Sequence, residues 1–316
     1  MRRRELVADR KGRRGGVYAL AVNNGRFVAG SKDAGLWYSD DGLIWARGSV
    51  KTGLWMALAY GNGRFVAGSG GSGLWYSGDG VNWTQGSKTD GQWYGLAYGN
   101  GRFVAVDHDG SGIWYSNDGA NWTRSQKGNS YWYCVAYGNG RFVAGNANNG
   151  GLWYSDDGVS WNMSSKANSW WYAIAYGNGR FVAGSYSTAL GLWYSDDGVN
   201  WKQSAKTDFV WPSVGYGNGR FIAGSNNGTR GVWYSDDGVN WTKADSSGQT
   251  WKSVAYCNGR FVAGTGSNGI WHSDDITVRS VPLVQRIRVN GTVLTADEDN
   301  IVDIPVDALK AALGIQ

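Results

Sequence analysis

Asp79 stands between Gly78 and Gly80, just before Trp83, within YGNGRFVAGSGGSGLWYSGDGVNWT at residues 60–84. An acid held by glycines beside an aromatic ring is what a glycosidase places against a sugar. A second candidate is Asp107-His108-Asp109, where two acids flank an imidazole that could hold a metal or work as an acid/base pair. A third is the arginine of each Asn-Gly-Arg-Phe motif (Arg26, Arg64, Arg102, Arg141, Arg180, Arg220 and Arg260), since guanidinium groups bind carboxylates.

The motif itself changes these readings. It begins at Asn24, Asn62, Asn100, Asn139, Asn178, Asn218 and Asn258, so the chain carries seven copies of a unit of about 39 residues. An acid recurs in each copy (Asp41, Asp79, Asp118, Asp157, Asp197, Asp237 and Asp275) and is expected to cap its own turn. A catalytic residue breaks a repeat pattern, and these acids and arginines follow it. The only glutamates are Glu5 and Glu298, outside the repeats. Glycoside hydrolysis needs two carboxylates at a set separation, and one acid per copy should lie far from the next. With only His108 and His272, a Ser-His-Asp triad or a zinc site is poorly supported. For Asp107 and Asp109 the expectation is a solvated loop. We therefore expect no catalytic residue, metal or cofactor.

Each unit reads as four strands. In the second copy they are LWMALAYG, GRFVAGS, GLWYS and VNWTQGS, with apolar, β-branched or aromatic residues alternating with small or polar ones. Asn-Gly joins the first two, because that dipeptide accepts the positive φ of a tight hairpin. Ser-x-Asp-Gly joins the last two. No helical periodicity interrupts them. Nineteen of the 20 tryptophans recur on the first, third or fourth strand of a copy, as packing between units requires; Trp170 alone lies off that framework. The expected fold is all-β: a seven-bladed β-propeller of four-stranded antiparallel blades over residues 1–281, plus a small strand/helix element.

The S-x-D-G-x-x-W turn, as in Ser39-Asp40-Asp41-Gly42-Leu43-Ile44-Trp45, resembles a shortened Asp-box. That is the turn of sialidase-like and related BNR-repeat propellers. The likeness covers residues 17 to about 279, although the last copy, HSDDITV, lacks the glycine and tryptophan. It implies a propeller; the missing glutamates speak against sialidase activity. The ring closes either on residues 5–10 near the start of the chain, which we prefer, or on ITVRSV of the last copy.

Residues 282–316 differ in kind. VQRIRVNGTVLTADEDNIVDIPVDALKAALGIQ reads as two short strands round Asn290-Gly291 and a helix at about residues 307–313. The segment resembles the V-N-G…V-D-I-P stretches of phage tail-fibre and tail-tip proteins. The resemblance implies an extracellular virion protein that docks on other tail proteins, or forms a homo-oligomer, through this segment.

Charge and composition add exclusions. The formal charge is +5, and residues 1–14 carry seven Lys/Arg against two acids, so the remainder is neutral. The basic arm suits an acidic partner, another tail protein among them; nucleic acid is disfavoured. Its MRRRELVADRKGRRGG has no apolar stretch behind it, unlike a secretory signal, and no run approaches the ~20 apolar residues of a membrane span. Cys134 and Cys257 occupy different places in their copies, so a disulfide is not expected.

Binding is the favoured function. The loops between second and third strands vary from copy to copy, as do those between one unit's fourth strand and the next unit's first; both sets belong to one face. That face offers Lys88, Lys127, Lys166 and Lys206, with Tyr131, Trp170, Phe209, Asn129 and Asn168 beside them. Rings next to lysines suit sugar faces and anionic groups. The expected ligand is a host surface glycan or an anionic cell-wall polymer. The alternatives are a structural tail adaptor and an aspartate-dependent glycoside hydrolase or lyase.

Overall fold

The computed structural model describes residues 2–4, 16–23, 25–42, 44–128, 130–148, 150–166, 169–187, 190–226, 231–244, 251–257, 260–265, 270–272, 286–289 and 292–295. It divides into two compact units, Met1–Asp275 and Ile276–Gln316.

The larger unit is a β-propeller. Six copies each fold into a blade of four consecutive antiparallel strands. In the second blade these are Trp55–Gly61, Arg64–Ser69, Leu74–Ser77 and Thr84–Gln85. Among the described residues the seventh copy supplies three strands, Trp251–Cys257, Arg260–Thr265 and Ile270–His272. Its fourth place is taken by Arg2–Arg4, with Arg3 opposite Trp271. Copies and whole blades therefore do not match one to one. HSDDITV has lost the glycine and tryptophan that make the turn into an outer strand, and a distant segment fills the edge instead. The closing strand is thus residues 2–4 rather than the expected 5–10; residues 5–10, and ITVRSV at 276–281, lie outside the described residues.

The innermost strands neighbour one another round a closed ring, from Val17–Asn23 through to Trp251–Cys257 and back. The core sits between blades. Ala57, Val66 and Leu74 of the second blade, for example, pack against Trp93, Phe103 and Trp122 of the third. The tryptophans at or just before the start of the inner strands (Trp55, Trp93, Trp132, Trp171, Trp211 and Trp251) are buried, and all but Trp132, which packs with Val106, fit against a glycine of the neighbouring blade. A Cβ on Gly68 would come within 2.6 Å of Trp93 Cβ. At the other end of the inner strand, a Cβ on Gly99 would lie 2.0 Å from the Tyr137 ring of the next blade. A single added methyl at such a position drives one blade off its neighbour.

The second unit contains a hairpin, Arg286–Val289 with Thr292–Thr295, paired through Val289 and Thr292 as the Asn290-Gly291 reading requires. The expected helix at about 307–313 lies outside the described residues. Among the described residues there is no helix.

Candidate binding site at the channel mouth

The face that carries the Asn-Gly and Ser-x-Asp-Gly turns consumes its own charges. Asp79 Oδ1 accepts hydrogen bonds from the Val81 and Asn82 amides and from Ser77 Oγ, each at 2.8 Å, while Asn82 Nδ2 donates to Oδ2. Burial alone would raise this carboxyl, but those donors outweigh it and hold it well below the usual carboxylate range. Under the same balance Asp197 and Asp237 fall to about 2. These acids are anionic turn caps; the neighbouring carboxylate that shares a cavity with Asp79, Asp40, is itself paired with Arg26 at 2.6 Å.

The motif arginines of the first six blades are committed as well. Arg141 Nη1 donates to the Asp197 carbonyl of the next blade at 2.8 Å, its Nε pairs with Asp156 at 2.6 Å, and its guanidinium lies 4.7 Å from the centre of the Tyr154 ring. Arg64 reaches the Asp118 carbonyl and stacks on Tyr76; Gly78 stands where Asp156 stands in the fourth blade. These arginines clamp one blade to the next.

The opposite face is built differently, beginning with a backbone irregularity. In six inner strands the pairing register shifts between the first and third residues, for instance Trp93 opposite Asp107 but Gly95 opposite Val106. The residue between is the extra one of a β-bulge, freed from the ladder and turned to the channel. These residues are Tyr18, Met56, Tyr94, Tyr133, Tyr172 and Lys252; Pro212, just before its strand, completes the set. All seven line the central channel, a cavity of about 170 Å³.

On one side of that mouth the rings form a continuous arc. Tyr133 and Tyr172 stack with centres 3.9 Å apart. Tyr172 stacks on Tyr186 at 4.5 Å, and Tyr186 on Trp170 at 5.7 Å. In the other direction Tyr133 meets Tyr94 at 4.8 Å and His108 at 4.6 Å, and His108 meets Tyr131 at 5.7 Å. The arc thus runs from Tyr131 to Trp170 across the third, fourth and fifth blades. Its ends are open, with Tyr131 46%, Trp170 40% and Tyr186 41% exposed. Burial raises the Tyr133, Tyr94 and Tyr172 hydroxyls, and Tyr133 is also hydrogen-bonded to Tyr172. At neutral pH they are phenols able to donate and accept.

The sequence candidates fall into three groups. Tyr131 and Trp170 are brought together by the arc. The lysines are turned inward, onto the third-strand tryptophan of the following blade. Lys88 Nζ lies 4.5 Å from the centre of the Trp114 ring, Lys127 3.8 Å from Trp153, Lys166 4.1 Å from Trp193 and Lys206 3.8 Å from Trp233. Lys88 also pairs with Asp90, and Lys206 with Asp208. Such cation–π contacts are worth about 0.5–2 kcal/mol each. They stitch blades and hold the ammonium groups against the frame. Phe209 packs on Trp211, apart from the arc. Asn129 and Asn168 lie outside the described residues.

Asp107 is not the solvated acid expected. It is fully buried, accepts from Ser111 Oγ at 2.5 Å and from the Asp109 amide, and organises its own loop. Desolvation raises its carboxyl and lowers His108. His108 serves the site as a ring. Among the described residues no three metal-ligating side chains cluster. Cys134 is a free buried thiol that burial pushes up to about 12, too high for a nucleophile.

Sequence reasoning missed Tyr94, Tyr133, Tyr172 and Tyr186. The signal for the first three was present: the residue after the first-strand tryptophan or its counterpart reads Tyr, Met, Tyr, Tyr, Tyr, Pro, Lys along the seven copies, changing where its neighbours repeat.

No protein-family model matches this sequence, and no curated protein resembles it closely enough to count as a relative. Solved structures do share the fold. The extracellular domain of a one-component system from B. thetaiotaomicron aligns at TM-score 0.65 and 14% identity, over 90% of this chain and 42% of that one. A GH74 enzyme from Niastella koreensis aligns at TM-score 0.65 and 19% identity, over 83% and 43%. YCF48 from Cyanidioschyzon merolae aligns at TM-score 0.60 and 12% identity, over 82% and 94%. The chain spans about two fifths of the length of the first two. At these identities the likeness defines the class, a β-propeller with four-stranded blades, and goes no further.

Proposed function

We propose that the chain is a non-enzymatic carbohydrate-binding propeller whose ligand lies across the aromatic arc at the channel mouth. The observation that carries this reading is the row from Tyr131 to Trp170. Aromatic rings supply broad apolar contact for the C–H faces of a sugar, and tyrosine hydroxyls supply hydrogen bonds for its hydroxyl groups. Rings already stacked on one another lose little freedom when a ligand arrives, which favours affinity.

A binding role is supported over catalysis by the lining of the channel, where no carboxylate occurs among the described residues. A sugar is favoured over single-stranded nucleic acid by charge: the chain beyond residue 14 is neutral, without the electrostatic groove that tracks a phosphate backbone. The wider reading is that of a seven-bladed receptor-binding protein of a virion tail, working outside the host cell. It rests on the closed ring of inner strands and on the likeness of residues 282–316 to tail proteins.

A glycan array and a pull-down on host-envelope polysaccharide test the proposal. Binding by the natural chain, lost in a Tyr131→Ala/Trp170→Ala double variant that melts normally, is the expected result. Undiminished binding by that variant removes the arc from the site. Retention in purified virions without any glycan binding would instead make the propeller an adaptor between tail proteins.

A further inference from the structure

The mouth is lopsided. Of the seven side chains that the inner strands turn into it, one is charged: Lys252, on the inner strand Trp251–Cys257. The inner strands form a closed ring, so Lys252 lies three places from Tyr94 in one direction and three from Tyr133 in the other. It therefore faces the junction of Tyr94 and Tyr133 across the channel.

Its surroundings differ from those of the four loop lysines that rest on rings. Lys88, Lys127, Lys166 and Lys206 each rest on a tryptophan. Lys252 stacks on no ring and pairs with no carboxylate among the described residues, and its neighbours along the mouth are Pro212 and Tyr18. Burial lowers its ammonium, and no charge among the described residues offsets that effect. An incoming anion would supply a counter-charge that the described residues do not, in a site already partly stripped of water.

Size limits what can enter. A cavity of about 170 Å³ is smaller than the roughly 300–1,000 Å³ of pockets that enclose a whole ligand. The body of a sugar chain must stay outside, on the arc from Tyr131 to Trp170, while a single substituent dips into the mouth.

We propose that Lys252 reads one negative charge on that ligand, so that the site selects an acidic glycan whose carboxylate or phosphate enters the channel opposite Tyr94 and Tyr133. The inference rests on the carbohydrate-binding reading and adds the ligand's charge class.

The test is titration of the full chain against three probes: an oligogalacturonate, its carboxyl-reduced neutral counterpart, and poly(glycerol phosphate). The same titrations are made with Lys252→Gln and Lys252→Arg. The expected result is at least ~10-fold tighter binding of one anionic probe than of the neutral one, weakening with salt. Lys252→Gln should bring the anionic probe down to the neutral one without weakening the latter, and Lys252→Arg should keep the preference. A preference for oligogalacturonate identifies the anion as a carboxylate, and one for poly(glycerol phosphate) as a phosphate. Equal binding of anionic and neutral probes, or a preference that survives Lys252→Gln, overturns the inference while leaving the glycan reading standing. Absence of binding to all three probes by the natural chain overturns the inference; absence from the glycan array as well overturns both.

Discussion

The two rims of the propeller use similar residue types to opposite ends. On the turn-bearing rim, Asp79 is saturated by Ser77, Val81 and Asn82, and Arg141 by Asp156, Tyr154 and the Asp197 carbonyl. On the mouth-bearing rim, Tyr131 and Trp170 keep open surface and Lys252 has no described counter-charge. A polar group that has spent its hydrogen bonds on the fold has nothing left for a ligand. The difference teaches that function here is sought where the repeat is broken, and stability where it is kept.

Substitutions can break that contrast. The largest effect is expected from the frame: Trp132→Ala empties a fully buried site and should cost about 3–5 kcal/mol in denaturant unfolding. Gly99→Ala comes next, at about 1–3 kcal/mol, because its methyl has nowhere to go beside Tyr137. Trp170→Ala should invert the pattern, lowering glycan affinity by roughly tenfold while shifting stability by under about 0.5 kcal/mol, as for other exposed surface sites. If it unfolds the protein instead, the arc belongs to the frame.

Acid sharpens the comparison. The carboxyls of Asp197 and Asp237 lie lower in the folded chain than in the unfolded one, so their contribution is complete above pH ~4 and is lost as pH falls toward about 2. Melting temperature should drop across that window, and Asp197→Asn should flatten the drop. The smallest effect separates two arginines. Arg141→Ala removes a carboxylate pair that Arg64→Ala does not, and exposed pairs contribute about 0–1 kcal/mol. The two variants should therefore differ by no more than that in unfolding free energy.

Much of the frame was legible because its signals are local. Asn62 takes φ 46° and Gly63 φ 72°, as a tight hairpin demands, and Asn-Gly declares this in two letters. The closing strand was not legible. Arg2–Arg4 has neither alternation nor β-branched residues, and it is a strand only because Ile270–His272 offers an unpaired edge. The site was half legible. Tyr131 and Trp170 stood out in variable loops, whereas Tyr133 and Tyr172 hid inside strands assigned to packing. A bulge is invisible to a count of alternating residues. The lysines misled because their chemistry is satisfied by rings on another blade, a contact between units that no spacing within one unit discloses.

The bulge has an evolutionary consequence. A side chain carried on an unpaired backbone residue answers neither to the ladder nor to the core, so its identity is free of the rules that hold the blades. Under the proposed function the mouth is a lock with one exchangeable pin per copy: Tyr18, Met56, Tyr94, Tyr133, Tyr172, Pro212 and Lys252. Selection for a new target needs to change a single codon at such a pin, with the barrel around it untouched.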